Sequence, residues 1–411
     1  MTFIEQYKGL DRQIYLLAVV RCVNSMGQMF VFPFTSLLLT QVLGFTAVQA
    51  GYFMLLTSVV NALSNAVGGK LSDRMSRRKI IFTAYLGVIA IMVATSFVCR
   101  TLLVLPALIA AHIFVCIALP SISALVLDKC DYYRRRVSLS LLYLASNIGS
   151  ALGPILAGLL FYRHMSLSFL CMAFGFTITA SVVFFLITDK VNEASRLTPP
   201  DENDAPEVPA AEGDNYIKMI FRNKILLVFV LTLGLTSLCY SSISYMLPLH
   251  FTEMAGLEAG SRYYSMIWTV NGAIVVFFTP ILISWTRKRS QLTNAAAACL
   301  LYALGFGVYA FTHSLPLYYM AVLIWTSGEI LLSTGGAVFI AAQSPPTHKG
   351  RAMATYEFAR SVGRSMGPLC FGYIIDGAGY GATWRVIAAT CFLLFLVMAA
   401  VTRYAKRTGR A

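Results

Sequence analysis

Charge is scarce in this sequence: Asp, Glu, Lys and Arg together make up 12% of its 411 residues, against about a quarter in soluble domains. With 58% hydrophobic residues, a water-soluble fold of this length has too little polar surface to cover itself. No H-E-x-x-H and no phosphate-cradling loop is present, so neither an enzyme nor a cofactor is expected. The five histidines are scattered, and the nine cysteines form no C-x-x-C pair, which argues against a metal site and a disulfide framework. Acids are scarcer than bases, giving a formal charge of +14. The basic residues sit in short loops between apolar runs, a pattern of membrane topology rather than of a nucleic-acid partner.

What is present is a series of apolar runs, each long enough to cross a hydrocarbon core of roughly 30 Å as a helix. They cover 14–39, 48–69, 79–99, 102–127, 137–161 and 166–188, then 225–251, 261–284, 291–312, 315–341, 353–376 and 380–402. The expected fold is an all-α membrane protein of 12 transmembrane helices. The first run continues past a signal-peptide core without a clear A-x-A cleavage site, and reads as a retained span. Of the loops on one side, only Arg100, Arg163 and Arg262 are basic, whereas Lys and Arg crowd the N-terminus, the even-numbered connections and the C-terminal tail. The positive-inside rule then places both termini in the cytoplasm, and the membrane reads as a bacterial cytoplasmic membrane.

Residues 191–214 interrupt the apolar character with four prolines and seven acids, as a solvated linker does. The expected domains are therefore residues 1–190, a linker at 191–218 and residues 219–411. An internal repeat crosses that linker: Gly149, Gly153, Pro154 and Gly158 recur as Gly363, Gly367, Pro368 and Gly372, at a constant offset of 214. Span 5 thus corresponds to span 11, which supports two pseudo-symmetric six-helix bundles.

Between spans 2 and 3 the chain reads Gly69-Lys70-Leu71-Ser72-Asp73-Arg74-Met75-Ser76-Arg77-Arg78-Lys79. This resembles the G-x-L-a-D-r-x-G-r-k loop of the major facilitator superfamily, except for Ser76, where that family usually has glycine. In sequence terms Gly69 allows a tight helix exit, and Asp73 can face a helix N-terminus or pair with Arg77. The resemblance implies a cytoplasmic gate in which Asp73 and Arg77 form a latch, with Asp128 at the end of span 4 as partner. The plainer reading is that these charges set topology alone.

Gly149, Gly153, Pro154 and Gly158 place small residues four apart on one helix face, with a proline that bends it. In shape this resembles the antiporter motif of drug/proton exchangers; its recurrence as Gly363, Gly367 and Pro368 equally fits helix packing and gating in both halves. Span 4 departs from that group: where such exporters carry a membrane-embedded arginine, Leu108 is followed at that spacing by His112. His112 lies roughly 15 Å deep and can exchange a proton or simply be a neutral hydrogen-bonding group.

Charges inside spans are few, and such groups tend to face a polar cavity and one another. Arg21 lies in span 1 beside Asn24 and Gln28, Glu329 near the middle of span 10, and Glu357, Arg360 and Arg364 share a face of span 11. Glu329 is expected to couple protons or sense substrate, with Arg21 and Arg364 as counter-charges; a static ion pair is the alternative, and the favoured one for Glu357 with Arg360. Asp376 and Arg385 read as interfacial anchors. Phe30, Phe34, Tyr143, Tyr240, Tyr245, Trp268, Trp325 and Tyr356 are aromatics that could line an apolar cavity. The expected function is a secondary transporter, monomeric and embedded in lipid, that exports small amphiphilic or drug-like molecules with protons as coupling ion. A proton-coupled importer of a small organic anion or other nutrient, and a non-transporting membrane receptor, are the alternatives.

Overall fold

The computed structural model describes residues 7–130, 134–189, 220–286, 289–312, 314–343 and 349–408; the expected linker at 191–218 lies outside them. Among the described residues every regular element is helical. The long helices, in chain order, are α1 (Arg12–Gln28), α2 (Ala47–Arg74), α3 (Arg77–Val98), α4 (Val104–Lys129), α5 (Arg135–Arg163) and α6 (Met165–Leu186). They are followed by α7 (Lys224–Tyr240), α8 (Ser242–Thr286), α9 (Gln291–Phe311), α10 (Leu315–Ala342) and α11 (Lys349–Arg407). Ten helical stretches among the described residues are long and apolar enough to cross a membrane. Two of them, Lys224–Thr286 at 63 residues and Ala354–Arg407 at 54, far exceed the roughly 20 that one crossing needs. Each is interrupted by a glycine at positive φ, Gly256 (79°) and Gly379 (77°), a conformation that side-chain-bearing residues rarely adopt.

Polar residues mark where helices begin. Asp11, Ser76, Asn223 and Ser290 each accept an amide of the first turn, the last three from Lys79, Leu226 and Thr293 at 3.2, 3.2 and 3.3 Å, which satisfies donors that a helix start leaves unpaired. Ser76 and Ser290 stand 214 residues apart, so the repeat extends to the caps. Beyond α1, Pro33 removes an amide donor and the path changes to a 3₁₀ turn at Phe32–Phe34, then a π turn at Leu38–Val42.

The chain divides into two compact units. The first comprises 1–44, 56–202 and 251–269, the second 45–55, 203–250 and 270–411. In the first unit α1 packs on α5 and α6, and α3 on α4 and α6. Gly149 and Gly153 carry the α1–α5 contact: a β-carbon at Gly149 would collide with the Cys22 carbonyl, and one at Gly153 would lie 2.7 Å from the Met26 oxygen. In the second unit α11 packs on α7 and α9, and α9 on α10. Gly363 and Gly367 meet Gly234 and Leu238 of α7, and Ser241 just beyond its end, in the same way. The glycine stripes are thus where backbones touch, as expected where lipid supplies no hydrophobic drive for helix pairing.

Gly69 departs from the expected tight helix exit. Helix α2 runs on to Arg74, because Lys70, Leu71 and Arg74 are good helix formers. A β-carbon at Gly69 would meet nothing within 4 Å, whereas one at Gly68 would sit 2.8 Å from the Ile117 Cα of α4. The close approach belongs to the preceding glycine.

Leucine at Gly149 or Gly363 is expected to lower the melting temperature by several degrees, since overpacking costs about 1–3 kcal/mol. Gly69→Ala should leave it unchanged or raise it slightly. Thermal ramps read by fluorescence-detected size exclusion measure this; an equal loss in all three variants would refute the packing assignment.

Candidate functional site

In the second unit, α10 carries Glu329 half-buried in the interior of a long apolar helix. Asn271 of α8 donates its Nδ2 to the Glu329 carboxylate at 3.1 Å and to the Thr326 hydroxyl at 3.0 Å. The Tyr240 hydroxyl of α7 interacts with the same carboxylate, and Arg360 and Arg364 of α11 lie within electrostatic reach of it. Tyr302 of α9 faces this carboxylate as well. Around it the rings of Tyr240, Tyr302, Phe306 and Trp325 pack with centroids 5.5 to 6.4 Å apart, and the Trp325 indole donates to Tyr309 at 3.1 Å. A carboxylate on an aromatic wall can accept a proton or face a cation; the amide of Asn271, a donor here, holds it in either role.

The expected static pair of Glu357 with Arg360 does not form. Glu357 is exposed, and Arg360 turns to Tyr356, donating to its hydroxyl at 2.9 Å with the guanidinium 5.1 Å from the ring centre. A ring face and a phenol oxygen satisfy the guanidinium where the exposed carboxylate offers no desolvated partner. Arg364 is exposed and shares the face of Arg360; among the described residues neither forms an ion pair.

The first unit holds a different polar cluster. Asn24 donates its Nδ2 to the hydroxyl of Tyr85, a residue buried at 1% exposure, and accepts from the Thr179 hydroxyl at 2.8 Å. Arg21, half-buried one turn before Asn24, sits near the same Tyr85 hydroxyl. Three helices, α1, α3 and α6, are thereby tied by neutral groups, since a buried amide and phenol must find partners. His112 stacks on Phe32 with ring centres 3.9 Å apart at 18°, and among the described residues its nitrogens have no hydrogen-bond partner.

The 69–79 segment forms a third cluster. Arg77 pairs with Asp128 and donates to the Ala124 carbonyl at 3.1 Å, binding α3 to the end of α4. Asp73 is exposed and joins no ion pair among the described residues. Ser76 donates to Asp189, which also accepts the Arg78 amide at 3.1 Å, and Arg78 Nε donates to the Val183 carbonyl at 3.1 Å. A glycine at position 76 would supply neither the α3 cap nor the link to Asp189. Asp376 accepts the amides of Ala47 and Val48 at 3.2 and 3.1 Å within the second unit, favourably placed at the positive end of α2.

Tyr85, Thr179, Asn271 and Asp189 were not singled out from sequence. Asn271 left a trace there, a lone amide inside an apolar run; Thr179 and Tyr85 are common in spans, and Asp189 sits just past one.

The family profile described as Major Facilitator Superfamily matches residues 17–368. The multidrug resistance protein MdtH of Klebsiella pneumoniae (strain 342) is 22% identical over 407 residues, covering 97% of this chain and 96% of its own length. A Na(+), Li(+), K(+)/H(+) antiporter of Planococcus maritimus is 21% identical over 406 residues, 92% of this chain and 93% of its own. A crystal structure of a mutant peptide transporter POT in complex with sulfate superposes with a TM-score of 0.78 at 14% identity, over 98% of this chain and 96% of that one; at that identity the likeness is one of fold.

Arg77→Gln and Asp128→Asn should each lower the melting temperature, and together by less than their sum, with a coupling of roughly 1 kcal/mol or more because the bond is charge-assisted and half-buried. Additive losses in the double-mutant cycle would show that the pair contributes nothing to stability.

Proposed function

The chain belongs to the Major Facilitator Superfamily, and on that premise we propose that it is a proton-coupled secondary transporter that exports small amphiphilic or drug-like molecules. Glu329 carries the reading: an ionisable group in mid-helix, held by Asn271 and Tyr240 and walled by aromatic rings, combines a group able to take up a proton with a surface suited to apolar cations. The multidrug and cation/proton antiporter relatives support the same direction. No catalytic chemistry and no cofactor enter the proposal.

The architecture that goes with it has two six-helix bundles, at 1–190 and 219–411, joined by a linker at 191–218. Dividing the two longest stretches at Gly256 and Gly379 raises ten candidate crossings to twelve. The repeat supports two bundles: Gly149 meets Cys22 and Met26 where Gly363 meets Gly234 and Leu238. Such bundles work by rocking of one half against the other around a midplane site. Asp73, Arg77 and Asp128 act as the cytoplasmic gate. The Arg77–Asp128 pair holds its base, and Asp73, exposed, serves as the part that engages and releases during the cycle. His112 and Arg21 line the first half of the pathway. Both termini face the cytoplasm, the membrane is a bacterial cytoplasmic membrane, and the protein works as a monomer.

One observation favours a second reading, import of a small organic anion with protons. Arg360 and Arg364 share a face of α11 and form no ion pair among the described residues, which offers two cations to a carboxylate or phosphate.

Purified protein in liposomes under an imposed pH gradient, offered a chemically diverse solute panel, separates the two. Export reads as pH-driven movement of amphiphilic cations that Glu329→Gln abolishes or uncouples; an unchanged pH dependence in that variant would remove Glu329 from the coupling role. Anion uptake lost on Arg364→Ala would instead establish import. Asp73→Asn should slow turnover at least severalfold while leaving substrate binding largely intact, and a parallel loss of binding would argue against the gate.

A further inference from the structure

Away from the Glu329 site, α9 and the second half of α11 leave between them a groove of about 870 Å³. Its walls are Leu304 and Phe311 on one side and Phe392 on the other, all exposed, and its floor is shallow because Gly307 and Ala389 carry little side chain. Arg385 is the one charged residue among those that line it. Its Nε donates to the Gly381 carbonyl at 3.2 Å, one helical turn back, which fixes the guanidinium, and it forms no ion pair among the described residues. The helices that frame the groove are long and apolar enough to cross a membrane, so the exposed aromatic and leucine side chains face lipid tails.

We propose that this groove is a binding site for an anionic phospholipid, with an acyl chain lying between α9 and α11 and the phosphate received by Arg385. The volume falls within the roughly 300–1,000 Å³ of sites that enclose small organic ligands. Lipid tails are as apolar as leucine, so the walls select shape and not headgroup. Discrimination comes from Arg385: its planar fork pairs with two phosphate oxygens, whose charge is unbalanced in an anionic lipid but is already offset by the choline cation in phosphatidylcholine. The site is independent of substrate and direction of transport, and touches none of the residues assigned to coupling or to the gate.

The test uses the full chain in nanodiscs containing phosphatidylglycerol or phosphatidylcholine with a photoactivatable group on the acyl chain, followed by peptide mapping of the labelled residues. In the unaltered protein, labelling around 304–311 and 389–392 should favour phosphatidylglycerol by about fivefold, the factor one basic residue contributes near a membrane surface. Arg385→Gln, an exposed substitution, should reduce that preference to parity. Ala389→Trp, which fills the groove, should remove labelling by both lipids at these positions. Equal labelling by the two lipids, a preference that persists in Arg385→Gln, or labelling that persists in Ala389→Trp would each overturn the proposal. Monodisperse elution is the criterion for including a variant, and Arg385→Gln decides alone if Ala389→Trp does not meet it.

Discussion

Contact between helix backbones is the constraint from which the remainder of this structure follows. In a hydrocarbon solvent apolar side chains gain nothing by leaving lipid for one another, so helices associate through close fit and through polar groups that have nowhere else to go. Gly149 and Gly153 of α5 against α1, and Gly363 and Gly367 of α11 against α7, supply the fit. Because these contacts draw α5 and α11 onto their partners, the side chains on adjoining faces are brought to fixed places. Ser25 and Ser146 meet at 2.8 Å beside Gly149, and α11 carries Arg360 and Arg364 towards Glu329.

The two repeats use the same packing to different chemical ends. In the first unit the interior polar groups of the Asn24 cluster are an amide, a phenol and a hydroxyl, which bind three helices together without needing to change charge. In the second unit, groups from α7, α8, α9 and α11 surround a carboxylate carried by α10. The internal repeat aligns Ser146 and Ser150 with Arg360 and Arg364, so positions that carry hydroxyls in the first half carry guanidinium groups in the second.

Much of this was legible in the sequence, for identifiable reasons. Spans are visible because a bilayer demands about twenty apolar residues in a row, and the repeat because glycine and proline tolerate few substitutes where backbones touch. Glu329 stood out because charges inside spans are rare. What was hidden depended on geometry between distant segments. Spacing alone could not decide whether Glu357 or the ring of Tyr356 receives Arg360. It could not assign the close approach to Gly68 instead of Gly69, since neighbouring helical residues point about 100° apart, nor reveal that Asp189 joins Ser76 across more than a hundred residues.

Gly256 and Gly379 interrupt long helices at a single residue each, and this bears on how accessible the backbone is at these points. A protease needs several residues of extended chain in its cleft, and an inserted tag or an antibody epitope needs a loop to occupy. Neither junction offers one. A surface with so little loose backbone at these points is difficult to cut or label, and any recognition there must read helix ends and side chains in place of a flexible loop.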